Sequence, residues 1–163
     1  NSEILKNIKK KITLEEAVKS VTLAKKAGLK VLTYFMVGLP GETEKEVMET
    51  IDFAISLNSD YAEFNICIPY PGTEMYLNGI SRSIIPADFW HDYATNPVPD
   101  FIVPNFYEEY LSKDDMIRLS NLALKKFYFR PRVIFRELFS CSSFGEFRKK
   151  SRMGLSLAKN LFC

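Results

Sequence analysis

VLTYFMVGLPGETEKEV, Val31 to Val47, decides how this chain is read: an apolar run stops at Gly-Leu-Pro-Gly-Glu-Thr and gives way at once to an acidic helix start. Leu29 to Val37 is apolar on both faces, the pattern of a parallel strand covered by helices on each side. Pro40 and Gly41 then make the turn. Thr43-Glu44-Lys45-Glu46 is a capping box, in which a hydroxyl and a carboxylate three residues apart serve each other's backbone amides. Val47, Met48, Ile51, Ala54 and Ile55 continue as a helical stripe. Upstream, Thr13-Leu14-Glu15-Glu16 is another capping box, and Leu14, Ala17, Val18, Val21, Ala24 and Ala27 keep helical spacing as far as Gly28. The order is helix, strand, helix.

A glycine loop between strand and helix raises the question of phosphate. The spacing is neither G-x-x-x-x-G-K-[ST] nor G-x-G-x-x-G, and Glu42, Glu44 and Glu46 would repel an anion from that helix start. Gly38 stands apart, because a glycine at the carboxyl end of a strand lets a ligand lie flat against the backbone. The next strand is Asp60 to Ile68, where Ala62, Phe64, Ile66 and Ile68 point one way and Glu63, Asn65 and Cys67 the other. In a lone sheet or an edge strand such a polar row faces water; in a closed or partly closed parallel sheet wrapped by helices it faces the interior, where sites are built. Pro40-Gly41-Glu42-Thr43 is echoed 31 positions later by Pro71-Gly72-Thr73-Glu74. That interval is about one βα unit, ~30 residues.

From Ser81 to Tyr110 the texture changes. Trp90, Tyr93, Phe101, Phe106, Tyr107 and Tyr110 are interleaved with Pro86, Pro97, Pro99 and Pro104, which predicts an irregular segment lying over the open end of the sheet. Its aromatics suit either a hydrophobic substrate pocket or simple packing. His91 has no partner at metal-ligand spacing and reads as a lid or surface residue. Ser112 caps a helix running to about Phe129, Pro131 starts another, and Ser143-Phe144-Gly145-Glu146 is a capping box for a last one.

With 163 residues, 47% of them hydrophobic, the chain can build one good core. It has no unbroken apolar run of the ~18 to 20 residues a bilayer span needs, and no signal segment at its start. Cys67, Cys141 and Cys163 are too scattered for a disulfide framework or a C-x-x-C knuckle, so a reducing, cytoplasmic setting is expected. The net charge of +2 hides an asymmetry: residues 1–112 carry −6 and residues 113–163 carry +8. Arg148, Lys149, Lys150, Arg152 and Lys159, with Phe144, Phe147, Leu155, Ala158, Leu161 and Phe162, form an amphipathic basic tail. Peripheral membrane contact, nucleic-acid binding and docking on the acidic half compete to explain it, and docking is favoured over both others. Because the chain opens on Asn1 inside the amphipathic run SEILKNIKKKI, it is expected to be a piece of a longer protein.

Taken together, KITLEEAVKSVTLAKKAGLKVLTYFMVGLPGETEKEVMETIDFAISLNSDYAEFNICIPYPGTEMY resembles the carboxyl-terminal half of a radical S-adenosylmethionine (SAM) enzyme core, nearest the class with an upstream cobalamin (B12)-binding domain. YFMVGLPGET and PYPGTEMY carry most of the likeness, and FYFRPRVIFREL, Phe127 to Leu138, is similar to the helical tail of many such proteins. The resemblance implies an α/β fold: the C-terminal βα units of a partial (β/α)6 TIM-like barrel in residues 1–80, an irregular lid in 81–111 and a basic helical extension in 112–163. It implies that one electron from a 4Fe-4S cluster cleaves SAM and that the 5′-deoxyadenosyl radical abstracts hydrogen, with methyl transfer or oxidative cyclisation as outcomes in the cobalamin class. The family's G-x-I-x-G-x-x-E element falls on Tyr34-x-Met36-x-Gly38-x-x-Gly41, so Met36 and Gly38 match while Tyr34 and Gly41 depart. Adenine contact is implied at Met36, and Glu63 and Asn65 are expected to hold SAM or substrate by hydrogen bonds, with Tyr34 sharing the parity of Met36. The family's C-x-x-x-C-x-x-C cluster motif is absent. No catalytic or metal-ligating residue is therefore assigned, and the fragment is not expected to bind these cofactors by itself. The implied partners are the N-terminal remainder of the same protein and a small-molecule substrate. Two alternatives stay open: a methylthiotransferase-like radical enzyme without cobalamin, and a non-catalytic RNA- or membrane-docking module built on the basic tail.

Overall fold

The computed structural model describes residues 1–85, 88–97 and 105–139, together with 143, 145, 148–149, 151–152 and 154. Its elements are α1 (Ser2–Asn7), α2 (Leu14–Lys26), β1 (Leu32–Val37), α3 (Glu44–Ser56), β2 (Tyr61–Ile66), α4 (Glu74–Ser81), α5 (Phe89–Thr95), α6 (Lys113–Tyr128) and α7 (Pro131–Phe139). The helix starts follow their local chemistry. The Thr13 hydroxyl accepts the Glu16 N–H at 3.1 Å while the Glu16 carboxylate accepts the Thr13 N–H at 2.8 Å. At α3 the Glu46 carboxylate takes both the N–H and the hydroxyl of Thr43. Ser112 accepts the Asp115 N–H at 3.1 Å to open α6. The echoed turns are also alike in backbone, with φ of 80° at Gly41 and 79° at Gly72.

β1 and β2 pair in parallel, with Leu32 opposite Tyr61, Tyr34 opposite Glu63 and Met36 opposite Asn65. A parallel pair needs a crossover, and α3 supplies it. One face of the sheet makes the core. Val37, Ala62 and Phe64 meet Val47, Ile51 and Ala54 of α3 and Met116, Leu119, Ala123 and Phe127 of α6. The expectation that β1 is covered on both faces is corrected here, since Leu32, Tyr34 and Met36 on its other face are 41%, 65% and 43% exposed. The reason is that α3 and α6 both pack on the same side, while α2 gives only Val21 to the buried set.

The segment predicted to be irregular contains α5, whose start is capped by the Asp88 carboxylate accepting the His91 N–H at 3.1 Å. The helix is short, seven residues, and stops at Asn96 just before Pro97, in keeping with prolines that rule out a long helix here. It is held to α4 at one point and to the loop after β2 at another. Tyr76 donates its hydroxyl to Asp88, and the Trp90 indole N–H donates to the Pro69 carbonyl at 2.9 Å while its ring stacks on Tyr70 at 5.3 Å. α6 and α7 begin where Ser112 and Pro131 predict. Of the last predicted helix start, at 143–146, Phe144 and Glu146 lie outside the described residues, as do most of the basic tail, Cys141 and Cys163. Among the described residues no helix is long and apolar enough to cross a membrane.

At the amino end of the strands Asp60 ties three elements together. Its carboxylate accepts the Val31 N–H at 2.9 Å and lies 3.4 Å from both Lys25 of α2 and Arg136 of α7. Burial pushes the Asp60 carboxyl up, but the Val31 amide and the charges of Lys25 and Arg136 outweigh it and hold the group below its ordinary 3.8. A carboxyl depressed in the folded state adds stability above its unfolded value, and that contribution is lost as pH falls through the folded one. Asp60→Asn is therefore expected to lower stability at neutral pH and to flatten the acid limb below about pH 4. Urea titrations of both proteins from pH 7 down to pH 3 should show the two curves converging. A constant gap at every pH would show that ionisation of Asp60 contributes nothing.

Candidate functional site

The carboxyl end of β1 has to turn within a few residues and still satisfy every amide. The chain does this with its own carboxylates. Glu42, 3% exposed, accepts N–H groups from Gly38 at 2.8 Å and Leu39 at 3.1 Å. Gly41 donates to Glu109 at 2.9 Å, Glu42 to the Leu39 carbonyl at 3.0 Å, and Thr43 to Glu46 at 3.0 Å. Pro40 has no N–H to give. From 38 to 43 every donor is thus taken inside the chain, which is the structural reason the loop offers no anion cradle. Burial raises the Glu42 carboxyl above its ordinary range, against the opposing pull of the Leu39 and Gly38 amides. Glu109 is held in turn by Arg82, the residue capping the end of α4, at 2.6 Å, so the turn is braced from the segment that precedes α6. The sequence showed Glu42 only as a charge that would repel an anion from the helix start, and gave no sign of Glu109. The only local signal for Glu42 was its place four residues after a strand-ending glycine.

Four of the five nominated residues come together. The parallel register sets Tyr34 beside Glu63 and Met36 beside Asn65, and all four are exposed on the face away from α3 and α6. They offer a phenol, a thioether, a carboxylate and a carboxamide, a set suited to hydrogen bonding and apolar contact with a ligand. Gly38 is placed differently. It is buried with φ of 84°, and the space where a side chain would go is filled by Met116, whose sulfur lies 2.5 Å from the position of a Cβ. Its small size is accounted for by α6 and by the turn.

Cys67 does not join the polar row. β2 ends at Ile66, and Cys67 is buried with its thiol 3.7 Å from the Met75 sulfur. Burial, with the nearby Glu42 charge, pushes the thiol up to about 11, away from the thiolate form that binds metal. His91 is exposed, and among the described residues no three His, Cys, Asp or Glu side chains gather as a metal site.

Residues 1–54 match the Radical SAM superfamily. An uncharacterised methyltransferase of Pyrococcus horikoshii is 36% identical over 141 residues, covering 86% of this chain and 29% of its own length. A protein of Methanocaldococcus jannaschii provisionally named a methylthiotransferase is 36% identical over 75 residues, 46% of this chain and 17% of its own. A tRNA uridine(34) acetyltransferase of the same organism is 33% identical over 78 residues, 46% of this chain and 14% of its own. The chain thus spans less than a third of the curated relatives it matches. The family match and the names of the first two relatives support a radical SAM enzyme. That family implies SAM and a 4Fe-4S cluster for the parent protein. The residues described here do not fit the cluster, because it needs several thiolates in one place and the described cysteine is single, buried and hard to ionise.

Proposed function

We propose that this chain is the SAM- and substrate-facing wall of a radical SAM enzyme whose cluster is held by another part of the same protein. The observation that carries the proposal is the register of β1 and β2, which brings Tyr34, Met36, Glu63 and Asn65 onto one uncovered face, with Met36 and Asn65 toward the carboxyl ends of the strands. In this reading the Met36 side chain packs against the adenine, while Glu63 and Asn65 accept and donate hydrogen bonds that orient SAM or substrate. Glu42 keeps the loop that ends β1 in place. The sheet itself is the last part of a partial (β/α)6 barrel, with α5 as a lid over its end.

The test uses the full-length parent, purified and reconstituted without oxygen, and follows iron-sulfur absorbance and release of 5′-deoxyadenosine. Met36→Ala and Asn65→Ala are each expected to raise the KM for SAM about tenfold, the equivalent of one lost contact of ~1.4 kcal/mol. Because both side chains are exposed in this chain, stability should move by no more than about 0.5 kcal/mol. Unchanged KM in both variants, or a parent that binds no iron-sulfur cluster, removes the proposal.

The finer reading is cobalamin-dependent methyl transfer, supported by YFMVGLPGET and PYPGTEMY and by the methyltransferase name of the Pyrococcus relative. Cobalt in stoichiometric amount in the purified parent is its expected signature. An active, cobalt-free parent would instead favour methylthio transfer, the activity in the name of a Methanocaldococcus relative.

A further inference from the structure

The loop that leaves β2 is built around one stiff aromatic residue. In Pro69-Tyr70-Pro71 the second proline disfavours the helical region at Tyr70 and keeps it extended. The Tyr70 carbonyl then accepts both the N–H and the hydroxyl of Thr73, at 3.2 and 2.6 Å, in the turn that opens α4. Behind the ring stands Trp90, the single tryptophan of the chain, with centroids 5.3 Å apart and planes 27° from parallel. That is attractive offset stacking. Trp90 is itself held, because its indole N–H donates to the Pro69 carbonyl at 2.9 Å and Asp88, two residues ahead of it, takes the Tyr76 hydroxyl.

A tyrosine that served packing alone would hide its ring, yet Tyr70 is 56% exposed. A lone exposed aromatic is ordinary. One that is clamped through its backbone and backed by a second ring is different, because it presents a fixed flat surface that needs little further ordering when a ligand arrives. Its place matters too. Tyr70 follows the carboxyl end of β2, the end at which parallel sheets bind their ligands, and comes five residues after Asn65. Five residues reach at most about 18 Å. A ligand on Tyr70 would therefore lie close to one that Met36 and Asn65 hold.

We infer that the Tyr70–Trp90 stack is a substrate platform, and that the substrate carries a flat, conjugated ring laid on the exposed side of Tyr70. The substrate's part in this rests on reading the chain as the substrate-facing wall of a radical SAM enzyme. The ring-binding surface does not. Stacking separates a flat ring from a puckered one on the same skeleton, since only the flat ring meets Tyr70 across its whole face.

The experiment uses the full-length parent, reconstituted without oxygen and carrying 5-fluorotryptophan, with the Trp90 fluorine resonance identified by its loss in Trp90→Phe. The probes are 2-naphthol and decahydro-2-naphthol, two neutral alcohols that differ in flatness. 2-Naphthol should shift the Trp90 resonance saturably and bind at least about tenfold more tightly than the puckered alcohol. Tyr70→Phe keeps the ring and should bind 2-naphthol as the unaltered protein does. Tyr70→Leu keeps apolar bulk without a flat face and should weaken binding about tenfold. Equal binding of the two alcohols, or full binding by Tyr70→Leu, would make the patch simply apolar and overturn the platform. Tighter binding of tetramethylammonium than of 2-naphthol would give the ring face to a cation and overturn the flat-ring class. Displacement of 2-naphthol by saturating SAM would give the stack to adenine and overturn the substrate assignment. Release of 5′-deoxyadenosine by the same preparation separates the two readings. Ring binding without SAM cleavage keeps the platform and loses the radical enzyme, and cleavage without ring binding does the opposite.

Discussion

Gly38→Ala is expected to lower the free energy of unfolding by about 2–5 kcal/mol, read as a fall in urea midpoint at unchanged slope. Two separate causes contribute. With φ of 84°, Gly38 sits in the left-handed region, which costs a residue with a Cβ roughly 1–2 kcal/mol. The new methyl would also stand 2.5 Å from the Met116 sulfur and 3.3 Å from its terminal methyl. Met116 is flexible, but it is fully buried among the residues of α3, α6 and β1, so it has little room to retreat. Forcing such a core costs about 1–3 kcal/mol. A double-mutant cycle separates the two causes. In a Met116→Ala background the overlap is gone and Gly38→Ala should cost only the backbone part, about 1–2 kcal/mol. Equal costs in both backgrounds would show that packing against α6 is irrelevant and that the turn alone demands glycine. In the parent, the same substitution should disturb SAM binding, because the Gly38 and Leu39 amides share the Glu42 carboxylate and a displaced Gly38 moves both.

This position also shows what the sequence could reveal and what it could not. The helix starts at Thr13, Thr43 and Ser112 were readable because a cap involves groups within three residues of one another. The alternation in β2 likewise separated Ala62 and Phe64 from Glu63 and Asn65 before any fold was known. The parallel order was recoverable too, since α3 joins two strands by a connection too long for a hairpin. What was hidden depended on α6, which lies more than seventy positions beyond β1. Its arrival on the same side as α3 left Tyr34 and Met36 open, filled the space beside Gly38 and brought the Tyr128 hydroxyl onto both backbone groups of Ala62. Cys67 shares the parity of Asn65, yet Met75 of α4 lies over it, and no strand pattern foretells a cover supplied by the next helix. The role of Glu42 was hidden for a related reason: its charge was legible, but not the Gly38 and Leu39 amides it satisfies.

If α6 holds the sheet together, Phe127→Ala should be among the most damaging single changes in the chain, costing about 3–5 kcal/mol. Phe127 is fully buried, its ring edge-on to Phe64 of β2 at 6.3 Å and to Tyr128 at 5.0 Å, with the Arg130 guanidinium 4.4 Å from its centroid. Truncation removes the transfer free energy of an aromatic ring and leaves a hole that α6 and β2 can close only by moving together. That movement would draw Tyr128 off Ala62, since Phe127 and Tyr128 are adjacent on the last turn of α6. The stability loss should therefore come with a local signature, faster exchange at the Ala62 amide than at the Val21 amide of α2, which α6 does not support. Phe127→Leu keeps much of the volume and should cost clearly less, with Ala62 still protected. A loss below about 1 kcal/mol for Phe127→Ala would mean that α6 is an accessory layer and that the sheet stands on α3.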